Sequence, residues 1–123
     1  MLTIFLPFAD EPPLNRDEGT GKVGAISQKS AEFLLRSRLA DAEAGDVDAL
    51  FELGISYSTG RGGVPVDLIE AHKWFNLAAL SGCTRGQECR AEIALEMTAR
   101  EIAEAQRQAR AWLSVSGGNR RAA

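Results

Sequence analysis

By type, the residues in this 123-residue chain best suited to chemistry are one histidine, His72, and two cysteines, Cys83 and Cys89. Together they offer three ligands to a zinc ion, whereas a closed structural site takes four. Their spacing, ten residues and then five, matches no established ligand pattern, so neither a metal nor another cofactor is expected. His72 stands beside Lys73 on the flank of an apolar stripe, which predicts a solvated ring rather than a catalytic base. If both cysteines lie on one helix, six residues separate them by about 9 Å along its axis. A disulfide needs Cα atoms within about 7 Å, so reduced thiols are expected. Catalysis requires a nucleophile or base held beside an orienting partner in a concave site. No such set can be assembled from these residues, and an enzyme is not expected.

Two other patterns suggest ligands. Gly19-Thr20-Gly21-Lys22-Val23-Gly24 matches G-x-G-x-x-G, which binds phosphate when a strand precedes it and a helix N-terminus follows. The preceding residues, EPPLNRDE, cannot form a buried strand. A Walker-type loop fails as well, because Arg16 takes the first glycine position and Val23 the hydroxyl position. Arg107, Arg110, Arg120 and Arg121 gather near the C-terminus, but no aromatic residues alternate with them and the net charge is −3. A nucleic-acid surface is therefore not expected. No apolar run approaches the roughly 18 residues of a membrane span. Leu2–Leu6 follows no basic residue and is cut short by Pro7, unlike a secretory signal. The expected location is the cytoplasm.

The elements that would position any site are helices. Residues 1–26 hold Pro7, Pro12, Pro13 and several glycines without any period, which predicts an irregular arm. Its apolar residues Leu2, Ile4, Phe5, Leu6 and Phe8 would suit either folding back over a helical groove or contacting a partner. Leu35, Leu39 and Ala42 then share a helix face from Ser27 or Ser30 to Ala44, with Gly45 as the stop. Asp46 caps a helix reaching about Ser58, on which Ala49, Leu50, Leu53, Gly54 and Tyr57 form a stripe. Gly54 on that stripe leaves room for Trp74 or Phe75. After Gly60-Arg61-Gly62-Gly63-Val64-Pro65, Asp67 and Glu70 form a D-x-x-E capping pattern. The helix they open keeps Ala71, Trp74, Phe75, Ala78 and Ala79 on one face and stops near Gly82. A fourth helix is predicted over 84–97, burying Ala91, Ala94 and Met97. Thr98 and Glu101 make a second capping box and open a fifth, carrying Ile102, Ala105, Ala109, Trp112 and Leu113. Residues 116–123 should fray as a disordered tail.

Ala71-x-x-Trp74-Phe75 recurs as Ala109-x-x-Trp112-Leu113 at an offset of 38 residues, and Gly45 recurs as Gly82 at 37. A period near 37 indicates one helix hairpin per unit, stacked into a solenoid. Residues 44–82 resemble the Sel-1-like repeat (SLR), a relative of the tetratricopeptide repeat. The resemblance rests on Ala49, Leu53, Gly54 and Tyr57, then Gly60, Gly62, Val64 and Asp67, then Ala71, Trp74, Ala78, Ala79 and Gly82. One unit is complete, and 27–115 as a whole is read as the repeat domain. Degenerate units on both sides resemble caps, and so few repeats leave room for a homodimer or for closure by the N-terminal arm. The resemblance implies an all-α, right-handed α-α superhelix of four to five helices. It also implies a protein–protein interaction module, an adaptor or regulatory subunit with a protein partner held in a groove lined by the first helix of each unit. Glu52, Ser56 and Arg61, off the apolar stripe or in the turn, are the candidate partner contacts. The alternatives are a small enzyme or ligand-binding protein using the groove, or a dimeric assembly subunit.

Overall fold

The computed structural model describes residues 21–122, and side chains within 29–116. The readings made for residues 1–20 lie outside the described residues. Five α-helices follow one another: α1 Gly21–Glu43, α2 Val47–Thr59, α3 Leu68–Leu80, α4 Thr84–Ala94 and α5 Ala99–Ala122. A 3-10 turn, Arg61–Gly63, joins α2 to α3. The described residues are all-α, a short helical-repeat solenoid.

α1 begins six residues before Ser27, and Gly21–Gly24 form its first turn rather than a phosphate-holding loop ahead of a helix. α5 continues through Gly117 and Gly118 to Ala122, past the point where the glycine pair predicts fraying. α4 stops at Ala94, three residues short of Met97.

The caps show why the helices start where they do. The Asp46 carboxylate accepts hydrogen bonds from the backbone N–H of Asp48 and Ala49 at 2.9 and 3.4 Å. Asp67 does the same for Ile69 and Glu70 at 3.1 and 3.2 Å. Each satisfies N–H groups that a first helical turn leaves without partners. The Asp67–Glu70 pair is not reciprocal, however. The Glu70 carboxylate accepts instead from the Trp74 indole N–H at 2.9 Å and pairs with Lys73 at 3.1 Å. The Thr98–Glu101 box closes in both directions. Thr98 N–H donates to Glu101 at 2.9 Å, and Glu101 N–H donates to the Thr98 hydroxyl at 3.1 Å. α2 ends at Gly60 (φ 82°), a left-handed conformation that costs an L side chain roughly 1–2 kcal/mol. The extended strap after the 3-10 turn is tied back where Asp67 N–H meets the Tyr57 carbonyl at 2.8 Å.

α3 is the hub, packed by α2, α4 and α5, while α1 packs on α2 and the 3-10 turn. α2 and α4 form one layer; α1, α3 and α5 form the other. At Gly54 α2 and α3 approach closely. A Cβ there would stand 2.5 Å from the Phe75 ring, so Phe75, and not Trp74, fills the space that glycine leaves. Phe75 also meets Phe51 at 5.7 Å between ring centroids. Trp74 faces the other way and packs edge-on against Trp112 of α5 at 4.8 Å. The two tryptophans that mark the 38-residue repeat therefore touch, and Ala71 and Ala109 beside them are both buried. Gly45 and Gly82, the other repeat marker, share one backbone conformation, φ 96° and 100°.

Candidate partner-binding surface

α2 presents little to solvent. Ala49, Leu50, Phe51, Leu53, Gly54, Ile55 and Ser56 are all buried, because α1, α3 and α4 close around the helix. What remains is a stripe of exposed Asp48, half-buried Glu52 and exposed Thr59, at spacings of 4 and 11 residues. Beside it runs α4, with Arg85 and Glu88 exposed and Glu92 half-buried. The Arg85 guanidinium lies over the Phe51 ring, 5.1 Å from its centroid, and marks the α2/α4 junction. α2 and α4 thus each contribute two exposed residues and one half-buried residue to this polar face.

The three candidate contacts do not converge. Glu52 lies on the open stripe of α2. Ser56 is 5% exposed, so it cannot meet a partner; the Ile55 side of the helix is covered as well as the predicted stripe. Arg61 is exposed in the 3-10 turn, where the neighbouring Gly62 approaches Ala31 of α1. It belongs to a different edge from Glu52. The signature residues, in contrast, act together as structure. Leu53, Ala71, Trp74 and Ala78 are core, Tyr57 is half-buried, Gly54 seats Phe75, Gly60 and Gly82 stop helices, and Asp67 caps.

His72 is the clearest correction. It is 3% exposed, and its Nδ1 has no hydrogen-bond partner. Burial, and secondarily the positive Arg90, holds its pKa below the ordinary histidine value. Arg90 itself donates to the side-chain Oδ1 of Asn76, linking α4 to α3. Both thiols are free. Cys83 precedes α4, and its Sγ accepts from Gly86 N–H at 3.3 Å. Cys89 is buried, which pushes its thiol up to about 11 and makes it a poor nucleophile. The buried face of α4 is Gly86, Cys89 and Ile93, and Met97 is buried just beyond the helix end, whereas Ala91 is exposed and Ala94 half-buried. Gly86 sets that face, since a Cβ there would stand 3.0 Å from Ala78. The spacing of 3, 7 and 11 residues from Gly86 was the available signal.

A cavity of about 100 Å³ lies between α1, α2, α3 and α5, lined by residues that include Ala42, Leu50, Leu77, Trp112 and Leu113. It holds roughly three waters, against the roughly 300 Å³ or more of a small-molecule pocket. No group of His, Cys, Asp and Glu able to hold a metal occurs among the described residues. Among those residues, too, no helix is long and apolar enough to cross a membrane.

The family model of the Sel1 repeat matches residues 47–83, the span of α2, the 3-10 turn and α3. That stretch is similar to a Sel1 repeat. No curated protein and no solved structure matches the chain. Sel1 repeats are generally protein-interaction modules rather than enzymes.

Proposed function

We propose that this protein is an adaptor or regulatory subunit that holds a partner protein on the α2/α4 face. One observation carries the reading. The stretch that matches the Sel1 model packs its first helix, α2, beside α4, and both helices expose polar residues there. Asp48, Glu52, Glu88 and Glu92 outnumber Arg85 there, which favours a partner segment carrying lysine or arginine. Recognition would come from shape and charge complementarity, with Glu52 as a central contact and Arg61 at a separate edge. The free thiols of Cys83 and Cys89 support a reducing compartment such as the cytoplasm.

Affinity capture from the native cells with the intact chain and with the Glu52→Lys/Glu88→Lys variant tests this. The expected result is a partner recovered by the first and depleted about tenfold or more in the second, at unchanged thermal stability. Equal recovery by both would move the site off this face. No partner at all would remove the adaptor reading.

A further inference from the structure

One side of α1 carries apolar residues into solvent. Phe33 and Leu34 are 69% and 48% exposed, and Ser30, Ser37 and Ala40 are exposed along the same side. The opposite side, with Ala31, Leu35, Leu39 and Ala42, is half-buried or buried where α1 packs on α2. The charges nearest the exposed side are sorted along it. Lys29 and Arg36 come first, Asp41 and Glu43 follow, and all four are exposed. Glu32 and Arg38 lie farther round the helix, roughly 120° from the middle of this side.

We propose that this side of α1 pairs with the same side of α1 in a second copy of the chain, the two helices running antiparallel about a two-fold axis. Charge order along the helix selects that partner and that direction. With the axis near Leu35 and Arg36, Lys29 of each copy comes to the level of Asp41 and Glu43 of the other. A parallel pair would instead set every one of these charges beside itself. In the antiparallel pair Phe33 faces Ser37 of the second copy, and Ser30 faces Ala40. These small residues leave the hole into which each phenylalanine fits as a knob. One like-charge approach remains, Arg36 to Arg36 at the axis, and Glu32, four residues earlier on each helix, offsets it. From Lys29 to Glu43 the side runs about 21 Å, four helical turns. One helix pair of that length falls short of the roughly 800 Å² per partner of a standard interface, so a weak dimer is expected. Because the same patch serves both copies, association closes at two chains. The inference rests on α1 alone and does not depend on the partner face of α2 and α4.

Sedimentation velocity of the full chain from about 1 to about 500 µM reads the association. The expected result is a shift from monomer to dimer with rising concentration, and no larger species. Phe33→Asp, at an exposed position, should weaken association about fiftyfold at unchanged helix content. Lys29→Glu and Glu43→Lys should each weaken it about fivefold, and an equimolar mixture of the two should restore it. In that mixture each chain supplies the charge that the other lacks. A monomer at every concentration would overturn the proposal and leave this side to residues 1–20 or to another protein. A dimer indifferent to Phe33→Asp would overturn it by placing the contact elsewhere. A dimer that neither charge reversal weakens would overturn the antiparallel pairing.

Discussion

The two hairpins α2–α3 and α4–α5 share the alanine–tryptophan spacing and bury themselves very differently. α2 is enclosed on nearly all sides, seven of its thirteen residues being buried. α4 buries only Gly86, Cys89 and Ile93. The connections differ in the same sense. The first runs through a 3-10 turn and an extended strap tied to Tyr57; the second is a short turn closed by the Thr98–Glu101 box. A unit with neighbours on both sides can spend its sequence on packing. α4–α5, which among the described residues packs on one neighbouring hairpin only, stops its connection with local hydrogen bonds and keeps more of its first helix polar.

Core substitutions should break this contrast most sharply. Phe75→Ala empties the space over Gly54 and is expected to cost about 3–5 kcal/mol in denaturant unfolding. Gly54→Val tests the same contact from the opposite side. It should destabilise by about 1–3 kcal/mol through overpacking, although valine is the better helix former. A neutral result would mean that α2 and α3 stand further apart than described. Trp74→Ala should also cost about 3–5 kcal/mol, whereas Trp112→Ala, half-buried at the outer unit, should cost clearly less. Equal losses would erase the distinction between the inner and outer hairpins.

Smaller effects distinguish the caps and the buried histidine. Thr98→Ala removes one arm of the box at α5 and should cost about 1 kcal/mol, read as a shift of the unfolding midpoint. For His72 the sign follows from burial. Its folded pKa lies below the ordinary value of 6.5, so the unfolded chain takes up a proton that the folded chain resists. Stability from this residue is complete above about pH 6.5 and is lost as pH falls below it. Chemical denaturation at pH 8, 6.5 and 5 should show a decline that His72→Leu flattens. If wild type and variant decline in parallel, His72 is not the group responsible.

The fold was legible wherever a local signal decides it. Asp46, Asp67 and Thr98 stand where helices begin, Gly45, Gly60 and Gly82 where they end, and the alanine–tryptophan spacing marks the repeat. What could not be read depends on which element lands on which. His72 sits one residue off the stripe of α3, an exposed position for an isolated amphipathic helix. Packing by further helices covers it. Ser56 is covered for the same reason. On α2 the sequence does carry the warning, since Glu52 is the only polar residue among Ala49–Ile55. A helix apolar nearly all round is a central one. Glu70 shows the reverse case: its spacing from Asp67 fits a box, yet the Trp74 indole competes for the same carboxylate and wins it.

The notch at Gly54 acts along the helix axis as well as across it. Sliding α3 by one helical turn, about 5.4 Å, would bring Leu50 or Ser58 under the Phe75 ring, and both carry the Cβ that Gly54 lacks. The hairpin therefore has a single axial setting, keyed like a shaft in its slot. Because α4 and α5 both rest on α3, the error of a slipped key would pass to every helix after it. One missing methyl group gauges the alignment of the whole stack.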